Sequence, residues 1–334
     1  MAFSSGSATS QADLITQLLT FATSVGWTVD ESVTGAGPQR AAIHRGDCYV
    51  QFWFDGTDAD NIVITQSLGF TPGNDPGTHP DDSGFKPTSS TSFTNGRRVA
   101  EIGNGPFTQH LFFAPNAGGP DADSYIHCAL QFAPNLWRHF GFGHLDKIGG
   151  WTGGEYAYGH YWPTSGSVSS SVNTLLLDSE FSSTNTTNLR AAGTMHVENL
   201  PEMDPQSKWG AFGGFSSLNN LPSDGNGRDV VSLRGGSRGG PHVTSFAAVI
   251  ANANNAAVPL IPVPAFFRDP TQSPVRNRLL GYMRDVRMMQ MRQFSPSDEL
   301  TLGSDTWVIL PGVRKTSIGQ QESDNLGIAY RKIT

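Results

Sequence analysis

The residues best suited to chemistry gather between 138 and 162, RHFGFGHLDKIGGWTGGEYAYGHYW, the densest mixture of polar, aromatic and glycine residues in the chain. Asp146 and Glu155 form a carboxylate pair of the kind glycosidases use, one protonating the leaving group and the other stabilising an oxocarbenium-like transition state. Trp151, Tyr156, Tyr158, Tyr161 and Trp162 would then supply flat faces for sugar stacking. Set on one rim without catalysis, the same five side chains would make a glycan- or receptor-binding module. His139, His144 and His160 are the metal alternative. Zinc sites recognisable in sequence place His at i, i+4 on a helix or use paired cysteines, whereas His139 and His144 are five apart among glycines. Carboxylates flank loops and histidines hydrogen-bond in cores far more often than either does chemistry. The expectation is therefore a structural block with Trp151 and Trp162 packed inside, no catalytic residue, no metal and no cofactor.

Other motifs carry less. Asp55-x-x-Asp58-x-Asp60 lacks the sixth-position Gly and twelfth-position Glu of a calcium loop and reads as a polar hairpin connection. Arg45-Gly46-Asp47 lies between two strand-like runs and reads as a turn. Gly235-Gly236-Ser237-Arg238-Gly239 fits G-x-S-x-G, but Gly239-Gly240-Pro241 continues poorly into the helix a nucleophile elbow needs. The Arg234–Gly240 run is read as a loop in preference to a phosphate cradle. No H-E-x-x-H or Walker sequence occurs. Cys48 and Cys128 have no ligand-spaced neighbours and are expected to be small buried hydrophobes.

The elements that must position these residues are mainly β. Ser10 followed by Asp13 resembles a capping box, and Leu14, Ile15, Leu18, Leu19 and Ala22 recur at helical spacing as far as Gly26, predicting one amphipathic helix. Strands are expected at Trp27–Val33, Gln39–His44, Cys48–Phe54, Asn61–Leu68, Arg97–Ile102, Phe107–Phe113, Ser124–Phe132, Leu136–Phe142, Thr306–Pro311 and Gly327–Lys332. Their spacing favours an antiparallel sandwich or barrel-like sheets over β-α-β units. Residues 1–163 are expected to form a helix plus β domain, 164–245 a Ser/Asn/Gly-rich insertion or arm, and 246–334 a C-terminal β segment completing the same core. The stretches 71–92 and 164–240 lack periodic apolar positions and are expected to be mobile in an isolated subunit, because little burial opposes an ordering cost of roughly 1 to 2 kcal/mol per residue.

A net charge of −7 over 334 residues argues against nucleic acid as the main partner. The charge is uneven. Residues 55–82 carry six aspartates and no Lys or Arg, whereas Arg268, Arg276, Arg278, Arg284, Arg287 and Arg292 crowd one later stretch. Arginine favours interfaces because its planar fork pairs bidentately with carboxylates. These arginines and Asp55, Asp58 and Asp60 are thus candidate contact surfaces between copies. Met1–Ser10 has no basic and apolar signal pattern, and no window is apolar enough for a membrane span.

The opening from Met1 to Val29, the Asn95-Gly96-Arg97-Arg98 turn, the 138–162 block and the closing Trp307–Pro311 and Gly327–Lys332 runs resemble virion structural proteins encoded among the tail genes of tailed bacteriophages. That resemblance implies a tail-tip or baseplate subunit, located in the virion after assembly in the host cytoplasm. Its implied partners are other copies of itself in a ring and neighbouring tail or baseplate proteins. It brings no catalytic residues with it.

Overall fold

In the computed structural model the described residues are 2–33, 39–54, 62–83, 100–101, 105–134, 136–161, 172–173, 193–200, 208–212, 229–231, 260–269, 276–291, 293–312 and 326–334. In chain order they form β1 (Phe3–Ala8), α1 (Gln11–Ser24), β2 (Thr28–Val33), β3 (Gln39–Arg45), β4 (Cys48–Phe54), β5 (Val63–Ser67) and β6 (Ala100–Glu101). Next come β7 (Phe107–Phe113), β8 (Tyr125–Ala133), β9 (Leu136–His144), β10 (Asp146–Lys147), β11 (Thr152–Tyr158), β12 (His160–Tyr161) and β13 (Val172–Asn173). The remainder are β14 (Gly193–Glu198), β15 (Trp209–Phe212), β16 (Asp229–Val231), β17 (Ile261–Asp269), β18 (Arg276–Gln290), β19 (Asp298–Leu302), β20 (Asp305–Pro311) and β21 (Leu326–Lys332).

The chain is mainly β, with one helix near the N-terminus among the described residues. A large sheet runs β1-β7-β8-β9-β11-β14-β15-β16-β17-β18-β21-β20-β19, with β10 paired to β18, and a smaller sheet runs β13-β12-β6-β5-β4-β3-β2. Neighbours are antiparallel apart from β15 and β16. The architecture is a sandwich, and neither sheet closes into a barrel.

Alternation along the strands explains the layering. On β8, Ile126, Cys128 and Leu130 join a core with α1 and the smaller sheet, where Phe52 meets Phe142 and Phe21 meets Phe112 at ring separations of 5.7 and 5.5 Å. Ala129 of β8 and Trp137 of β9 face the other way, into a second core with Val263, Leu280, Ile328 and Tyr330. The large sheet therefore curls so that its second half covers the outer face of its first half. Phe113 stacks on Tyr330 at 4.9 Å, and Lys332 lies 4.8 Å over the ring of Phe3 on the opposite edge strand.

The helix forms where the spacing predicts. Ser10 caps it by accepting from the Asp13 amide at 3.1 Å, Leu14, Ile15, Leu18 and Ala22 are buried, and it stops before Gly26, whose φ of +91° suits glycine. Gly46 and Asp47 turn a two-residue hairpin between β3 and β4, with Gly46 at φ +56°. Arg45 beside them is buried, not displayed: it binds Asp121 and the carbonyls of Val25, Ala117 and Gly119. Cys48 and Cys128 are free, buried thiols.

Within the 164–245 stretch, β14, β15 and β16 lie in the middle of the large sheet, and Met195 and Val197 enter its core. Gly193–Glu198 alternates apolar Met195 and Val197 with polar Thr194, His196 and Glu198, and both faces are buried as far as Val197. Residues 71–83 fold onto the smaller sheet: the Gly73 amide donates to Glu31, and the Ser83 amide and Gln66 carbonyl pair at 2.8 Å. Residues 84–92 lie outside the described residues. β1 comes from an opening stretch in which no strand is expected from the sequence.

Candidate functional site

The most concentrated polar site sits where β9, β11 and β14 run side by side. Register places Glu155 opposite His144, and Gly153 opposite Val197. His196 and Glu198, two apart on β14, share a face. His196 donates from Nδ1 to Glu155 at 2.6 Å and from Nε2 to Glu198 at 2.9 Å. His144 Nε2 lies 3.7 Å from the other Glu155 oxygen. Beyond Glu198, Lys208 stands 3.9 Å away and pairs with Asp81 at 2.7 Å, while the Trp209 indole donates to the Asp81 carbonyl and lies 5.4 Å from the His196 ring. Gly153, at φ +106°, lets the strand pass the His196 carbonyl, with which any Cβ would collide.

The electrostatics follow from this geometry. Carboxylates do not donate, so an imidazole bonded through both nitrogens to carboxylates is doubly protonated. Burial works against that charge, but the bonds and attraction of Glu155 and Glu198 outweigh it and raise the His196 pKa. Burial likewise opposes ionisation of Glu155, and His196 reverses this, holding Glu155 below the usual carboxylate range. His144 is pulled down by burial despite its proximity to Glu155.

Ser124, His144 and Glu155 also form a series resembling a nucleophile, base and orienting carboxylate: the Ser124 hydroxyl is 3.1 Å from His144 Nδ1. Ser124 is fully buried, however, so no substrate carbonyl reaches its oxygen. The 3.7 Å His144–Glu155 separation is too long for the hydrogen bond that would orient the base. The arrangement joins β9 to the turn before β8.

The residues singled out from sequence are dispersed. Asp146 is 60% exposed and pairs with Arg284 at 3.2 Å, whereas Glu155 is buried against His196, so the two carboxylates hold separate partners. The rim of sugar-stacking aromatics is overturned for the members that are described. Trp151 is buried in the second core, as expected for a structural block, and Tyr156 and Tyr158 are buried with it. They face inward because the second half of the large sheet covers that side. Tyr161 lies on β12, its side chain outside the described set, as is all of Trp162.

His139 bonds Tyr330 and the Pro311 carbonyl, and His127 bonds Tyr158 and the Arg284 carbonyl. These histidines brace the two halves of the large sheet. The side chain of His160 is outside the described residues. Among the described residues no group of three or more His, Cys, Asp or Glu side chains is placed to hold a metal ion.

The opposed charge stretches are partly internal. Arg284 pairs with Asp123 as well as Asp146, Arg287 lies 5.2 Å over the Trp307 ring, and Arg278 is half-buried. Of the acidic run, Asp75 pairs with Arg40 and Asp81 with Lys208. Arg292, Asp55, Asp58 and Asp60, and the side chains of Arg268 and Arg276, lie outside the described residues, as do Ser237 and the glycine-arginine run around it.

His196, Glu198 and Lys208 were missed by sequence reasoning. The alternating Thr194-Met195-His196-Val197-Glu198 pattern was the available signal. Nothing local pointed to Glu155 as the partner. Compared with known proteins, the chain matches no protein-family model and no curated protein. Among the described residues no helix is long and apolar enough to cross a membrane.

Proposed function

We propose that the chain is a structural subunit of a tailed-phage virion, in the tail tip or baseplate, acting by ring assembly with copies of itself and with neighbouring tail proteins and not by catalysis. The observation that carries this reading is the use made of the 138–162 block. Its His139, Tyr156 and Tyr158 sit in or beside the second core, and the hydrogen bonds of His139 and Tyr158 run across it to the far half of the sheet and to β8. A side chain locked between the two halves of the large sheet supplies rigidity, which a ring subunit under mechanical load needs.

The sequence resemblance supports the same reading. So does the asymmetry of the arginine-rich strand pair β17–β18, which suits the heterologous head-to-tail contacts that close rings. Gold labelling of an epitope-tagged chain in purified particles tests the placement. Label at the distal end of the tail is expected, and absence of the chain from purified particles would sink the reading.

A further inference from the structure

The ion cluster around His196 plays no part in the contacts just described, yet it joins segments far apart in sequence. Glu155 belongs to β11, His196 and Glu198 to β14, Lys208 to the start of β15, and Asp81 to the 68–83 loop. The backbone attachment of β15 to β14 is short, from Thr194–Ala211 to His196–Trp209. The loop meets β15 through Asp81, whose carboxylate takes Lys208 and whose carbonyl takes Trp209.

We propose that protonated His196 is a latch that fixes the β14–β15 ribbon and the 68–83 loop onto the large sheet, and that loss of its proton releases them. The geometry dictates the sense of the switch. Both ring nitrogens of His196 face carboxylates, so removing one proton turns a lone pair toward a carboxylate at the buried site. The groups facing it are Glu155 from β11, Glu198 from β14, His144 from β9, Lys208 and Trp209 at β15, and Asp81 from the loop. From the smaller sheet the Cys48 thiol feels Glu155 and is pushed well up by burial, so it stays neutral. None of these can replace the lost positive charge next to Glu155, since Lys208 stands beyond Glu198 and His144 is held largely neutral.

His196 has a raised pKa, so the latch is fully closed below the ordinary imidazole value of about 6.5 and opens as pH rises through the higher folded value. On the acid side Glu155 keeps its charge to below about 4.5.

Amide hydrogen exchange on the whole chain tests this, read as protection factors so that the intrinsic pH dependence of exchange is removed. Between about pH 6 and pH 9.5, protection at 194–197, 209–212 and 81–83 should fall by about tenfold or more, while β8 and β9 hold steady. Glu155→Gln preserves shape but removes the charge, so the midpoint of that fall should move to lower pH. His196→Gln should show the released pattern already at pH 6. A flat wild-type profile, or an unmoved midpoint in Glu155→Gln, overturns the latch. Both measurements decide the matter even if His196→Gln fails to fold.

Discussion

Buried polar side chains carry most of the specificity of this protein at the scale of single residues. Arg45 is the plainest case, because its buried guanidinium holds the carboxylate of exposed Asp121 and the carbonyls of Val25, Ala117 and Gly119, the first of them buried. Arg45→Ala would strand the buried Val25 carbonyl and should cost about 1 to 3 kcal/mol in urea unfolding. Arg45→Lys keeps the charge without the fork and should fall between. His127 and His139 make a different prediction. Burial drops both to about 4, against about 6.5 in the unfolded chain. The unfolded state therefore binds more protons between those values, so stability falls as pH drops from about 6.5 to about 4, by roughly 3 kcal/mol for each histidine. His196 acts in the opposite sense, its contribution being intact below about 6.5 and lost above. A plot of urea midpoint against pH should thus peak near neutrality, and His139→Gln should flatten its acid limb only.

At the scale of elements, the local signals with one meaning were legible. Ser10, Asp13 and the 3.6-residue spacing of Leu14, Leu18 and Ala22 fixed the helix, and removing the cap with Ser10→Ala should lower stability by about 1 kcal/mol, measurable as a small drop in thermal midpoint. Strands rich in aromatic and aliphatic residues between turns, such as Phe107–Phe113 and Cys48–Phe54, were legible for the same reason. What was not legible depends on partners. Phe3–Ala8 is a strand because β7 offers it an edge, not because FSSGSA prefers extension. The site shows the same division: His139 and Glu155 stood out by type, but whether they would face solvent or a second layer depended on distant segments, the far half of the large sheet over His139 and the smaller sheet on the side of Glu155. Asp146 and Glu155 differ in this way although they are nine residues apart, one on an exposed strand paired with β18 and the other on β11, between β9 and β14.

The whole molecule is one curled sheet with a smaller sheet and a helix laid on its first half, and its two chain ends stand in unequal places. β1 forms an outer edge, whereas β21 is inserted between β18 and β20. Removing residues 2–8 should leave a folded protein with a lower thermal midpoint. Ending the chain at residue 325 should abolish cooperative unfolding, because Ile328 and Tyr330 leave the second core together. If β17–β18 carries the ring contact, Arg268→Glu with Arg276→Glu should yield a folded chain that no longer enters particles, and normal incorporation would rule that contact out.

The position of β21 also orders events during synthesis. The ribosome delivers β18 and β20 before the strand that separates them, so a nascent chain displays two strands whose facing edges have no neighbour. Until Leu326–Lys332 emerges, those edges are open to each other in the wrong register and to other nascent chains. β21, translated after both of its neighbours, thus acts as the chain's own protection against misassembly, and the interval before it emerges is the one in which a chaperone matters most.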